Sequence, residues 1–177
     1  LYDLASNGKG DGNVFTLRLT ESERVQAIAL SGTQGGDLSE AVLNLDQGAA
    51  RDVAGNLIFQ DVGNKLHETA DTILPQILDA TLNYSTGILI IYASETIAST
   101  TVAKVVQNKI ILVDVVDGQN QYQGLSSSST VTARDDTSVT IKLTEAQRIW
   151  GIDKSDTPGG NGGAITLSLN SGALEDI

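Results

Sequence analysis

Residues 140–149 read TIKLTEAQRI, and residues 16–25 read TLRLTESERV. The two blocks lie 124 positions apart, and the match runs on without a gap until Val53 meets Ile177. Identical pairs include Leu19/Leu143, Thr20/Thr144, Glu21/Glu145, Arg24/Arg148, Gly36/Gly160, Leu43/Leu167, Leu45/Leu169 and Asp52/Asp176. An ungapped match of this length marks an internal repeat. Inside the block, Val139, Ile141 and Leu143 alternate with Thr140 and Lys142; in the other copy Phe15, Leu17 and Leu19 alternate with Thr16 and Arg18. A period of two predicts a strand with one buried and one wet face. The following T-E-x-[EQ] fits a capping box, in which Thr bonds the third helical amide and Glu or Gln reaches back. Val25 with Ile28, and Ile149 with Ile152, have the apolar spacing of a short helix. Strand then short helix is therefore expected twice.

The same pattern reading extends along the repeat. Residues 77–83 predict a strand with Leu78, Ala80 and Leu82 on one face. A turn at Ser85, Thr86 and Gly87 leads to a buried strand over 88–92. NKIILVDVV is too uniformly apolar for an edge strand; STVTAR and VTIKL follow, and AITLSL repeats the alternation through Ile165, Leu167 and Leu169. In the first copy, residues 56–62, NLIFQDV, supply a final strand after DVAGN at 52–56. Gly55 and Asn56 both tolerate the left-handed backbone that a reversal needs. Seven short strands with turn signals between them suggest a Greek-key sandwich. The expected fold class is all-β: tandem sandwiches, each with one short helix. Residues 1–73 read as the back part of one repeat, without its first strands. Residues 74–177 read as a second repeat without its last strand. The polar stretch 64–75, closed by Pro75, reads as the linker.

Composition narrows the function. Apolar residues make up 40%, enough for a packed core, but aromatics are only 4%, so that core is aliphatic. The net charge of -11 disfavours nucleic acid and anionic membrane surfaces, which attract basic residues. No cysteine is present, which excludes disulfides and thiolate metal sites. No apolar run reaches the roughly 18 residues of a membrane span. The abrupt start at Leu1 reads as that of a piece of a longer protein.

No catalytic constellation is visible, so no enzyme and no cofactor are expected. The single histidine, His67, falls in the linker and has no repeated counterpart. Glu21/Arg24 and Glu145/Arg148 recur at i, i+3, the spacing of a helix-surface ion pair. Acidic pairs at Asp114/Asp117, Asp135/Asp136 and Asp153/Asp156 fall in turns, where calcium takes oxygen ligands and where solvated carboxylates are also common. Asn83-Tyr84-Ser85 is an N-x-S sequon, making Asn83 a candidate glycosylation site; Ser126 to Thr130 form a candidate O-linked tract. Trp150, replaced by Gln26 in the other copy, is a candidate copy-specific contact or a ring packed on the sandwich.

LIIYASETI at 89–97 and GAARDVAGN at 48–56 resemble the opening strand and the D-x-A-G-N turn of bacterial immunoglobulin-like repeats. Tyr92 and Ala93 depart from that family's usual Phe. The resemblance implies immunoglobulin-like sandwiches in secreted adhesins or surface layers, hence an extracellular or cell-surface structural role. The expected partners are other copies of this chain, with no nucleic acid and no membrane insertion. The expected mechanism is strand complementation, head to tail, with a covalent continuation beyond Ile177 that supplies the missing strand as its alternative. The expected donor strand is Leu1, Tyr2, Asp3, Leu4, Ala5 and Ser6, and the expected acceptor groove lies beside Ile165, Leu167 and Leu169. The alternative is a carbohydrate- or calcium-dependent adhesion module that binds surface glycans.

Overall fold

A computed structural model describes residues 13, 14 and 16–177. The chain divides into two compact units, Leu1–Thr72 and Ile73–Ile177. The first carries α1 (Glu21–Ala29), β1 (Val42–Leu45) and β2 (Asp61–Lys65). The second carries β3 (Ile77–Asn83), β4 (Ile88–Ile97), β5 (Ile110–Val116), β6 (Gln119–Gly124), β7 (Thr130–Val131), β8 (Asp136–Lys142), α2 (Glu145–Asp153) and β9 (Thr166–Leu169). The fold is all-β and antiparallel, and the described residues of each unit hold one nine-residue α-helix.

In the second unit one sheet runs β3-β4-β8-β7 and the other β6-β5-β9. Leu89 and Ile91 of β4 and Val139 and Ile141 of β8 meet Ile110 and Leu112 of β5 in one core. The arrangement is sandwich-like. The two most apolar strands, β4 and β5, are each flanked on both edges, so little of either meets water. Strand β6, QNQYQG, has no apolar alternation, and the pattern reading passed over it. Its signal was the Asp117-Gly118 pair, which takes φ of 49° and 76° and closes the β5–β6 hairpin in the left-handed turn that such pairs favour.

Both capping boxes form. Thr20 Oγ1 accepts from the Glu23 amide at 3.4 Å and the Thr20 amide donates to Glu23 Oε2 at 2.8 Å. Thr144 Oγ1 accepts from the Gln147 amide at 3.3 Å and the Thr144 amide donates to Gln147 Oε1 at 2.8 Å. After each helix a glycine lets the chain cross its own backbone. A Cβ on Gly36 would lie 2.1 Å from the Ser31 carbonyl oxygen, and one on Gly160 would lie 2.0 Å from that of Ser155.

Several boundaries differ from the pattern reading. The strand expected over 88–92 continues to Ile97, and STVTAR contributes only Thr130 and Val131. NLIFQDV does not form one strand. Asp52 closes DVAGN instead: its carboxylate accepts from the amides of Ala54 at 2.9 Å and Asn56 at 2.8 Å, and from Asn56 Nδ2 at 2.8 Å. The chain then pairs back on itself at Arg51↔Leu57, and the longer strand begins at Asp61. Asn64 and Lys65 therefore belong to β2 and not to a linker.

The largest difference is in the first unit. Helices α1 and α2 match position for position, as do β1 and β9, yet residues 16–20 form no strand where β8 forms in the second unit. Leu17 and Leu19 are 56% and 51% exposed, while their counterparts Ile141 and Leu143 are 0% and 4% exposed. Strand hydrogen bonds need a neighbour. Strand β8 lies between β4 and β7, and the described residues of the first unit include no counterpart of either. Among those described residues no apolar side chain is buried.

Candidate functional site: the open edge of β9

Strand β9 pairs with β5 in the register Leu112↔Leu167 and Ile111↔Ser168, and the Asn170 amide donates to the Lys109 carbonyl at 2.9 Å. Successive residues of an antiparallel strand present their backbone groups to opposite edges. Positions 166, 168 and 170 thus face β5, and the N–H and C=O groups of Leu167 and Leu169 face the other way. Among the described residues no strand pairs with that second edge.

The first unit shows what the same edge can hold. There β1 pairs with β2 in the register Val42↔Lys65 and Leu43↔Asn64, and the Leu66 amide donates to the Ala41 carbonyl at 3.0 Å. Ala41 and Leu43 are the counterparts of Ile165 and Leu167.

A groove of about 680 Å³ runs beside this edge. Strand β3 forms one wall and β9 the other; Leu89 and Leu112 form the floor. Ile165, Leu167 and Leu169, the expected acceptor residues, are half-buried and line it. Among the described residues β3 also pairs on one side only, so the groove lies between two edge strands. Such edges template the addition of another strand. Tyr84 and Asp156 flank the groove. Burial pushes the Tyr84 phenol up, reinforced by the Asp156 charge and opposed by a hydrogen bond from Ser155. The expected donor residues Leu1, Tyr2, Asp3, Leu4, Ala5 and Ser6 lie outside the described residues.

The remaining candidate residues are dispersed. Asn83 is exposed at the end of β3, and its Oδ1 accepts from the Thr86 amide at 3.1 Å. The O-linked tract is interrupted: Ser129 is buried, because its hydroxyl donates to Gln147 Oε1 at 2.7 Å. Trp150 is half-buried against the core, while Tyr92 and Tyr122 belong to different sheets and form no common platform.

Charged groups are held by the protein itself. Arg148 bonds Glu145 through Nε at 2.7 Å and Nη2 at 2.6 Å, and its Nη1 donates to the Tyr84 carbonyl at 2.8 Å, tying α2 to the β3–β4 turn. Arg24 repeats the Glu21 pairing at 2.8 Å and adds Asp71. Asp114 is not a solvated turn carboxylate: it lies on β5, 1% exposed, and accepts from Asn161 Nδ2 at 2.9 Å. Asp135 accepts from the Ser99 and Thr100 amides at 2.6 and 2.7 Å. Burial pushes the Asp135 carboxyl up, but bonds from Thr100 and Ser99 outweigh it and hold the pKa below its ordinary 3.8.

No helix among the described residues is long and apolar enough to cross a membrane. No family model, curated protein or solved structure matches the chain.

Proposed function

We propose that this protein is a non-enzymatic structural module of tandem immunoglobulin-like sandwiches, and that its copies join head to tail on a cell surface or in an extracellular fibre. The mechanism is strand complementation: an extended segment of one copy lies along the open edge of β9 in the next and fills the groove against β3. The observation that carries this reading is the apolar groove between β3 and β9, lined by Ile165, Leu167 and Leu169, along which no strand pairs among the described residues. A contact between two different surfaces propagates instead of closing, so a filament follows.

The test is sedimentation velocity across a concentration series, with electron microscopy of the same samples. Wild type is expected to form linear assemblies. Leu167→Pro removes an N–H that faces the open edge and leaves the β5 hydrogen bonds in place. It is expected to stay monomeric with an unchanged far-UV circular dichroism spectrum. A wild-type chain that remains monomeric at the highest concentration refutes the reading.

A further inference from the structure

We infer that the second unit binds a calcium ion at a site built on Asp114, where β5 meets the loop that follows α2. The site stands apart from the groove and from the assembly proposed above.

Asp114 sits where a carboxylate is costly. On β5 it follows Ile110 and Leu112 on the face turned to the core, and it is 1% exposed. A buried carboxylate needs partners for its oxygens and a cation for its charge. Asn161 Nδ2 donates to Oδ2 at 2.9 Å, but among the described residues nothing bonds Oδ1. The ammonium of Lys154 pairs instead with Asp153, at 3.0 Å.

Two further oxygens gather beside the unused one. A Cβ on Gly163 would lie 2.8 Å from Asp114 Oδ1, 3.1 Å from Asn161 Oδ1 and 3.6 Å from the Lys154 carbonyl oxygen. Three oxygens from a strand, a loop and a helix end thus converge where the glycine carries no side chain. The loop is fixed by its own bonds: the Gly162 amide donates to the Ser155 carbonyl at 3.0 Å, and the Gly163 amide to Asn161 Oδ1 at 2.8 Å. In the first unit Ser39 stands in place of Gly163, and its hydroxyl donates at 2.5 Å to Asp37, the counterpart of Asn161. One ion per chain is therefore expected.

Charge and donor type name the ligand. Lys154 is the C-cap of α2, so its carbonyl lies at the negative end of the helix dipole, and Asp114 adds a full negative charge. Both favour a cation. Oxygen donors alone select a hard cation over zinc or copper. A carboxylate, a side-chain amide and a main-chain carbonyl are calcium ligands, and water completes a shell of roughly six to eight oxygens; magnesium demands a tighter octahedron. Asn161 and Gly162 are exposed, which gives the ion and its waters a route from solvent. With a single carboxylate the affinity is weak, a Kd on the order of 0.1–1 mM.

The test is calorimetric titration of the chelator-stripped 177-residue chain with calcium chloride, with thermal unfolding of the same samples in calcium and in chelator. Wild type is expected to bind one equivalent and to unfold at a higher temperature in calcium. Asp114→Asn keeps the shape of the side chain and removes its charge. It is expected to lose the binding heat and the calcium-dependent rise, and to unfold in chelator at or above the wild-type temperature, because the unpaired buried charge is gone. Gly163→Ala keeps the charge and puts a methyl group among the three oxygens; it is expected to lose binding with an unchanged far-UV circular dichroism spectrum. Three results overturn the inference: no saturable calcium binding to folded wild type, wild-type affinity retained in either variant, or magnesium bound as tightly as calcium.

Discussion

Leu19 and Leu143 are the same residue at the same place in the two copies of the repeat, so one substitution reads the difference between the units. Leu143 is 4% exposed and belongs to the core of the second unit; Leu19 is 51% exposed. A buried Leu→Ala change loses the transfer free energy of the side chain and leaves a cavity, about 2–5 kcal/mol together. At Leu19 no closed core surrounds the side chain and no cavity is left. Only the lost burial of half a side chain remains, on the order of 1 kcal/mol. Leu143→Ala should therefore exceed Leu19→Ala by about 2 kcal/mol or more, measured on dilute monomer. Urea unfolding followed by amide hydrogen exchange in peptides of each unit separates the two transitions. Leu143→Ala should lower the midpoint of the second unit and Leu19→Ala should barely move that of the first. Equal losses at both sites would mean that Leu19 is as buried in solution as Leu143 and would refute the reasoning.

Leu38 takes a φ of 70° where the second copy has Gly162 at 86°, and its amide bonds the Ser31 carbonyl as that of Gly162 bonds Ser155. Leu38→Gly should stabilise the first unit by about 1 kcal/mol, seen as slower exchange of the residue 31–38 amides. Gly160→Ala should cost about 1–3 kcal/mol or more in denaturant unfolding, since its Cβ would sit 2.0 Å from backbone. Thr144→Ala should cost about 0.5–2 kcal/mol by removing the cap. It should cost more than Thr20→Ala, because Gln147 also holds Ser129 in the interior, while among the described residues Glu23 bonds Thr20 alone. The carboxyls of Asp52, Asp135 and Glu145 all have lowered pKa values. Their contribution to stability is full above their ordinary 3.8 and 4.5 and is lost as pH falls through the folded values. Carboxyl NMR titration should place Asp135 below 3.8, and Asp135→Asn should flatten the acid limb of the stability profile.

Local chemistry was legible in the residues alone. The two capping boxes and the paired Glu and Arg on each helix depend on neighbours within four positions, and both appear where the spacing puts them. The alternation in VTIKL gave the inward set Val139, Ile141 and Leu143, each buried in the second unit. The short polar hairpin strand β6 was missed because periodicity carries no signal there and only its Asp-Gly turn does. The same pattern in TLRL gave a strand that residues 16–20 do not form. Alternation states which face a strand would bury; whether it pairs depends on neighbours that come from elsewhere in the chain. That dependence also decides the groove. Ile165, Leu167 and Leu169 were readable as an inward face beside an expected groove, but that β5 is the strand on one side of β9 emerges only in the structure. Sequence determined the units of structure, because their forces act between near neighbours. Tertiary structure alone decided that β5 is the neighbour of β9, because backbone pairing is settled between strands far apart in the chain.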